Sequence, residues 1–405
     1  MKPLKNKMLP FFAVMFIFNM AANFVHPVTP TIISDLNLSD YMFGLAFSAM
    51  MAFNFLFSPL WGKMAGYISS KKVMLISGIG YAVGQVFFGI AKTEIHFLLA
   101  RMFAGAFCGG AYVSFLTYTV NASSVEARNK NIALNAILTA VSSSFGYFVG
   151  GMIGEIGAYI SVWVQIATLV ISSCVLYFVC VDDTRGSNKR PSGKKLIKEC
   201  NPFSAIWQCR HFMTRAIIFL FLSYGFLNIG FTAFEQCFNY YLRDQLGLTS
   251  GYNGVIKAIL GFISLIANGT LCLWIMKQRR ASRYLALIIA LCAFTTIGAI
   301  VFSAPIPFII SNVLFYAFYY ISLPLSQSSA AYHGQGKDSN LVMGSFNAVK
   351  SFGSIFGSAL AGFMYEFHVK LPFIFGFATF IIATIAIIAF VKADERDFEK
   401  ISKNS

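Results

Sequence analysis

The chain contains few charged residues, and acidic residues are the scarcer kind. Of its 405 residues 12% are charged, with 16 Asp and Glu against 31 Lys and Arg. Hydrophobic residues make up 57% and the mean hydropathy is +0.68, which excludes an ordinary soluble domain. Within the apolar runs, hydrophobic and polar residues do not alternate. A transmembrane β-barrel, whose strands show such alternation, is therefore excluded as well.

Signatures of catalysis and of cofactor binding are also missing from the sequence. There is no G-x-x-x-x-G-K-S/T phosphate loop, which argues against ATP-driven transport, and no pairing of nucleophile and base. The eight Cys show no metal-ligand spacing, and most lie inside apolar runs, so neither a metal site nor a disulfide framework is indicated. The first apolar run is too long for a cleavable signal peptide. We therefore expect no enzyme, no metal and no cofactor.

Long apolar runs fill most of the chain. Backbone groups in hydrocarbon must be bonded within their own segment, so a span is a helix of about 20 residues. The sequence thus predicts an all-α membrane protein with twelve transmembrane helices. The predicted spans are 9–33, 41–62, 73–91, 96–119, 131–154, 160–181, 213–242, 250–276, 284–304, 307–329, 339–365 and 371–391.

The formal charge of +15 follows the predicted topology. Most Lys and Arg lie before the first span, after the last one, or in the connections that follow even-numbered spans, as the positive-inside rule requires for cytoplasmic termini. The basic excess therefore indicates topology and contact with anionic membrane lipids rather than nucleic acid. We predict a multi-pass protein of the cell membrane with both termini in the cytoplasm.

The spans fall into two sets of six. Residues 182–212 between them are rich in Gly, Ser, Lys and Pro, which is typical of a flexible linker. We expect a six-helix bundle at 1–181, a cytoplasmic linker at 182–212, and a second six-helix bundle with a short cytoplasmic tail at 213–405. Residues 139–155 and 350–366 also resemble each other, and parallel six-span repeats are a transporter architecture.

A loop motif identifies the family that the chain resembles. The run SPLWGKMAG contains Gly62 and is followed by Lys71 and Lys72. It resembles the motif between spans two and three of the major facilitator superfamily. Gly66 stands where that motif has an acidic residue, and Ser69 where it has glycine. The resemblance implies that the acidic residue anchors a cytoplasmic charge lock, and this chain lacks that residue.

Three further stretches resemble the 12-span drug:proton antiporter branch of that superfamily. The sequence RMFAG begins at Arg101 and is similar to the fourth-span motif, which implies a part in proton coupling for this arginine. In the seventh span, Glu235 stands where multidrug exporters of the branch carry a membrane glutamate. The sequence GYFVGG resembles the fifth-span antiporter motif, with Tyr147 in place of proline; its glycines are Gly146, Gly150 and Gly151.

Four charges lie deep in apolar runs, where each costs about 2.5–3.5 kcal/mol on insertion scales. We predict that Glu235 carries the coupling proton, since burial favours the protonated carboxyl; a structural ion pair with Lys257 is the alternative. Arg101 would tune coupling, or else extend to the outer headgroups. Lys350 would contact substrate, Glu235 or helix carbonyls.

Polar residues of the first span are the remaining site candidates. Asn19 and Asn23 are one turn apart on one face, where they would line a substrate cavity or join helices. His26 would bind substrate and exchange protons, or hydrogen-bond a backbone group. Glu155 and Glu366 end their spans and would be gate residues or solvated ones.

Together these features predict a secondary active transporter of the major facilitator superfamily. Its expected activity is proton-coupled efflux of small amphipathic or drug-like compounds by alternating access. One alternative is transport of an anionic small metabolite, since Arg101 and Lys350 would suit a carboxylate or phosphate. Another is a non-transporting membrane receptor or lipid-handling protein. The expected partners are a small-molecule substrate, protons and membrane lipids, and the family implies a monomer.

Overall fold

The predicted all-α architecture is confirmed in a computed structural model. It describes residues 5–124, 126–183, 213–278, 280–333 and 339–404, which form helices and turns without any strand. The helices are α1 Lys5–Ala22, α2 Thr29–Asp35, α3 Met42–Ile68, α4 Ser70–Ile90, α5 Glu94–Ala122, α6 Arg128–Ile156, α7 Ala158–Val179, α8 Arg215–Asp244, α9 Ser250–Ala267, α10 Leu273–Met276, α11 Ala281–Val301, α12 Pro305–His333, α13 Ser339–Phe367 and α14 Leu371–Asn404.

Many of these helices are long enough to cross a membrane. Within the described residues, ten helices are long and apolar enough to span a membrane, and Met8–Ala22 forms a shorter apolar helix. The predicted eleventh span, α13, is a helix of 29 residues but is not one of those ten. The protein is therefore a multi-pass membrane protein, and the total of twelve spans stays a prediction.

Two predicted spans are interrupted. The prediction of one continuous helix at 9–33 was wrong, because α1 ends at Ala22 and α2 begins at Thr29. Pro27 explains the break: proline lacks the N–H that a helix needs and disfavours helical backbone at the residue before it, His26. The eighth span continues from α9 through a π-helical turn at Asn268–Cys272 into α10.

The chain divides into two compact units. The first comprises Met1–Pro202 and Leu242–Gly261, and the second comprises Phe203–Tyr241 and Phe262–Ser405. The start of α9 therefore belongs with the first unit. The boundaries at 181 and 213 stay predictions, and the predicted linker lies outside the described residues apart from Asp182 and Asp183.

The core of the first unit surrounds α1. Phe11, Met15 and Phe18 are fully buried there, and the ring of Phe18 meets that of Phe115 on α5 edge to face, with centroids 5.2 Å apart. Such edge contacts are favoured between aromatic rings. This side of α1 is thereby fixed, so α1 can present polar residues on another side.

The internal repeat is visible in the packing of each unit. A Cβ added to Gly146 on α6 would collide with the carbonyl oxygen of Met20 on α1. A Cβ added to Gly357 on α13 would collide in the same way with the carbonyl oxygen of Ile229 on α8. Small residues let helix backbones approach closely in a membrane. The aligned glycines therefore make equivalent helix contacts in both units.

We expect Gly146→Ala and Gly357→Ala to lower the melting temperature of the protein reconstituted in lipid. The added methyl meets a backbone carbonyl that cannot turn aside, and overpacking of this kind costs about 1–3 kcal/mol. The matched control is Gly66→Ala, since a Cβ at Gly66 has no atom within 4 Å. Equal melting temperatures for Gly146→Ala and Gly66→Ala would contradict this account of the packing.

Candidate transport site

Arg101 lies buried on α5, with 5% of its surface exposed. Its Nη2 donates a hydrogen bond to Thr29 Oγ1 at 3.1 Å. The guanidinium carbon lies 4.0 Å from the centroid of the Phe88 ring and 5.9 Å from that of Phe97. The ring faces partly replace the lost hydration of this cation. The guanidinium is therefore enclosed by other side chains of the protein, and its depth relative to the headgroups stays a prediction.

His26 lies in the turn between α1 and α2, among aromatic and basic side chains. Its ring stacks on that of Tyr147, with centroids 5.4 Å apart and an interplanar angle of 11°. Arg101 and Lys257 both act on His26 electrostatically. Lys257 is 5% exposed, and its Nζ lies 5.6 Å from the Tyr147 ring centroid. We call His26, Arg101 and Lys257 the basic cluster; all three belong to the first unit.

Asn19 on α1 and Asn23 in the turn that follows it connect this part of the chain to α6. Asn19, 1% exposed, donates from Nδ2 to Thr139 Oγ1 at 3.3 Å, while its Oδ1 is buried without a hydrogen-bond partner among the described residues. Asn23 donates to the Asn19 carbonyl at 2.8 Å and accepts from Ser143 Oγ at 2.9 Å. Both asparagines thus connect α6 to the first span, and joining helices was one of the two roles expected for them.

The α6 side of this network was not predicted from the sequence. Polar residues recur at every fourth position along α6, and this spacing, which keeps side chains on neighbouring turns, was the available signal. Asn131 donates to Ser123 Oγ at 2.8 Å and Asn135 to Thr119 Oγ1 at 2.9 Å. We call these positions the α6 polar row; they are Asn131, Asn135, Thr139, Ser143 and Tyr147.

Glu155 lies at the end of α6 and caps the start of α9. Its Oε1 accepts hydrogen bonds from the backbone N–H of Gly251 and from Ser250 Oγ. A carboxylate at a helix N-terminus satisfies free N–H groups and interacts favourably with the helix dipole. Nearby, a Cβ added to Gly151 would meet the Ser250 carbonyl, and one added to Gly150 would meet the Phe24 backbone. The fifth-span glycines therefore act through close helix packing.

The second unit holds the membrane glutamate. Glu235 on α8 is half-buried and interacts electrostatically with Lys350 on α13 and with Tyr319 and Tyr320 on α12. The Lys350 side chain is exposed near the middle of its helix. Glu235 and Lys350 are thus near enough to interact electrostatically, whereas contact between them and the ion pair of Glu235 with Lys257 stay predictions.

The loop motif between α3 and α4 is held by an acidic residue from elsewhere in the chain. Asp183, which follows α7, accepts from the N–H of Ser70 at 2.8 Å and from its Oγ at 2.6 Å. Asn121 Nδ2 donates to the same carboxylate at 3.0 Å. Asp183 therefore caps α4 in a chain that has Gly66 at the acidic position of the motif.

The remaining motif residues have smaller roles. Lys71 places its Nζ 5.4 Å from the Tyr177 ring centroid, and Lys72 is exposed. Gly62 would tolerate a Cβ, whose nearest neighbour would be Val113 at 3.6 Å. Ser69 has φ +82°, a left-handed backbone that glycine adopts without strain and that other residues adopt at a cost.

Comparison with known proteins decides the family. The sequence profile described as Major Facilitator Superfamily matches residues 11–336. The chain belongs to this family. Multidrug resistance protein 2 of Bacillus subtilis is 21% identical over 370 residues, covering 89% of each chain, and Multidrug resistance protein 1 of that organism is 21% identical over 383 residues, covering 93% of this chain and 94% of the relative.

A solved structure shows the same fold. The crystal structure of a bacterial homologue of the human lysosomal transporter Spinster superposes with a TM-score of 0.74 at 15% identity, covering 98% of each chain. The resemblance to the drug:proton antiporter branch is confirmed by the multidrug resistance relatives. The Major Facilitator Superfamily consists of transporters rather than enzymes, and its drug transporters act on small molecules.

We expect Asp183→Ala to destabilise the start of α4. The substitution removes the acceptor for the Ser70 N–H, and loss of such a cap costs about 0.5–2 kcal/mol. Thermal unfolding of the purified protein measures the effect. Asp35→Ala, which also removes one carboxylate, is the control for the change in net charge; an equal loss in both variants would contradict the capping role.

Ser69→Gly should have the opposite effect. The left-handed backbone at Ser69 costs a residue with a side chain about 1–2 kcal/mol, and glycine avoids this cost. We expect a higher melting temperature, reduced somewhat by the entropy that glycine loses on folding. A lower melting temperature than that of the unaltered protein would show that the Ser69 side chain stabilises the loop.

Proposed function

We propose that the protein is a proton-coupled exporter of small amphipathic or drug-like compounds that works by alternating access. The observation that carries the proposal is Glu235, a half-buried carboxylate on α8 that interacts with Lys350 and with two tyrosines. The multidrug resistance relatives support export of such compounds. The absence of a phosphate-binding loop from the sequence favours an ion gradient over ATP as the energy source.

Protonation of Glu235 would change the charge balance of the second unit. The ionised carboxylate offsets the ammonium of Lys350, whereas the protonated carboxyl leaves that ammonium uncompensated. The energy difference between the protonated and ionised forms of Glu235 therefore depends on what else lies near Lys350. A substrate that binds more tightly to one of these two forms has its transport coupled to proton movement. Arg101 stays charged throughout the cycle, so it supplies a fixed field rather than the proton.

The remaining parts of the proposal concern location and assembly. The protein would lie in the cell membrane with both termini in the cytoplasm, which the positions of its basic residues support. It would act as a monomer, with protons as the coupling ion. Asn19 and Asn23 would keep α1 and α6 together during the cycle, since their hydrogen bonds lie within the first unit.

We expect Glu235→Gln to abolish pH-gradient-driven uptake of amphipathic dyes into inverted vesicles, because the amide cannot carry a proton. Exchange of dye across the membrane without a pH gradient should survive. Glu366→Gln is the matched control, since Glu366 is exposed at the end of α13. Full gradient-driven uptake by Glu235→Gln would sink the proton-carrier role, and failure of the unaltered protein to move any dye would sink the export function.

A further inference from the structure

Two ion pairs lie at one end of the second unit. Arg283, near the start of α11, places its Nε 2.6 Å from Glu395 Oε1 on α14. His333, the last residue of α12, places its Nε2 3.2 Å from Asp394 Oδ1, also on α14. We call the pair of His333 and Asp394 the histidine clamp. All four residues belong to the second unit, and the positions of basic residues predict that this end faces the cytoplasm.

Water and protons reach the histidine clamp. The apolar spans formed by α12 and α14 end at His333 and Glu395, so the pair lies at the membrane boundary rather than in the hydrocarbon. Both side chains are also partly exposed. Because histidine ordinarily changes its charge between about pH 5 and pH 8, the clamp can respond to the pH on this side of the membrane.

Both ring nitrogens of His333 face acceptors. Nδ1 lies 2.9 Å from the carbonyl oxygen of Ser329, and Nε2 faces the Asp394 carboxylate. A neutral imidazole carries one N–H and one lone pair, whereas the imidazolium carries two N–H groups. In the neutral ring one nitrogen lone pair would therefore point at an oxygen. The arrangement fits the protonated ring, in which both contacts are hydrogen bonds.

The position of the ring on α12 also favours its positive charge. His333 lies in the last turn of this helix, where the helix dipole stabilises a cation. The Phe390 ring of α14 packs against the imidazole, with centroids 5.3 Å apart, and the Tyr332 ring lies beside it on α12. These aromatic contacts hold the imidazole in place beside Asp394.

Other charged groups around the histidine clamp come from α14 and from the start of α11. Glu395 follows Asp394 on α14 and is paired with Arg283 of α11. Arg280, just before α11, also acts on Glu395 electrostatically, and Lys392 of α14 is exposed. Carboxylates, lysine and arginine ordinarily keep their charges between about pH 5 and pH 8. The imidazole is therefore the group here whose charge ordinarily changes across that range.

The histidine clamp fixes the point at which the chain passes from α12 to α13. Residues 334–338 connect His333 to Ser339, the first residue of α13. Tyr320 on α12 and Lys350 on α13 both interact electrostatically with Glu235. Holding His333 on α14 therefore fixes one end of the two helices that carry these partners of Glu235.

Elsewhere α12 and α14 meet through apolar side chains. The rings of Phe308 and Phe373 have centroids 5.7 Å apart, and those of Phe315 and Phe380 have centroids 5.3 Å apart. Contacts of this kind carry no titrating group. The histidine clamp thus adds a pH-dependent contact to packing that does not depend on pH.

We propose that His333 and Asp394 form a proton-dependent clamp, which holds the junction of α12 and α13 on α14 at acidic to neutral cytoplasmic pH and releases it as that pH rises. Protonation of the imidazole closes the clamp, because both ring nitrogens then donate. Loss of the proton leaves one nitrogen facing an oxygen without a hydrogen between them. This switch is separate from the proposed proton carrier Glu235, and it does not rest on the export function.

Nuclear magnetic resonance tests whether Asp394 stabilises the protonated ring. The full-length protein, with isotope-labelled histidine, is placed in lipid nanodiscs and titrated from about pH 5 to about pH 9. The chain contains five His, so the ring signals are few, and His333→Gln identifies the signal of His333. We expect Asp394→Asn to weaken proton binding by His333 about tenfold, because an opposite charge within hydrogen-bond distance is lost.

Glu395→Gln is the matched control for this titration. It removes the neighbouring carboxylate on α14, which pairs with Arg283 rather than with the imidazole. We expect it to change proton binding by His333 about twofold or less, the scale of an exposed charge that makes no direct contact. Unchanged proton binding in Asp394→Asn, or equal weakening in the two variants, overturns the proposal.

Thermal unfolding tests whether the clamp holds the helices together. A contact made by the protonated ring stabilises the fold at low pH and is lost as the pH rises through the titration of that ring. We expect Asp394→Asn to melt below the unaltered protein by about 1–3 °C at about pH 6, and level with it at about pH 8.5. A deficit of Asp394→Asn that is equal at both pH values overturns the proposal.

The same control applies to unfolding. Glu395→Gln should differ from the unaltered protein by the same amount at both pH values, because its partner Arg283 keeps its charge. A pH-dependent deficit in Glu395→Gln as large as that in Asp394→Asn counts against the clamp. Both measurements use the protein without substrate, so failure of the proposed export function would leave their outcome unchanged.

Discussion

The constraint on which the structure depends is that a polar group inside a membrane must find its partner within the protein. Backbone groups meet it by forming helices, and many hydroxyls meet it by bonding the carbonyl one turn earlier, as Ser77 does to Val73 at 2.6 Å. Side chains that bond across helices are therefore the ones that define tertiary structure. In the first unit this role falls to the α6 polar row and its partners on α1 and α5.

Hydropathy predicts the helices well because span length and apolar content are local properties. The fourth span, predicted at 96–119, is α5 at Glu94–Ala122. Hydropathy does not predict the break between Ala22 and Thr29, because the residues there are mostly apolar and only the backbone restriction that proline imposes marks the site. The π-helical turn at Asn268–Cys272 was likewise not predicted, because its residues carry no comparable signal.

The candidate site was less predictable because its contacts are distant in sequence. The charged residues themselves were identifiable, since each is costly in an apolar run. Their partners were not: Asp183 lies 113 residues from Ser70, and Ser143 lies 120 residues from Asn23. A single sequence shows the cost of burying each polar group but not which other group offsets it. The repeat was an exception, because the similarity of the two sequence segments aligns Gly146 with Gly357 and so predicted equivalent packing.

The division of charge between the two units separates two roles that a transporter must combine. Arginine keeps its charge at any physiological pH, so the field of the basic cluster is present in every state of the cycle. In the proposed function Glu235 gains and loses the coupling proton, and it lies in the second unit, where it interacts electrostatically with Lys350. The first unit would then supply a constant field, while the dependence of transport on protons would come from Glu235 in the second unit.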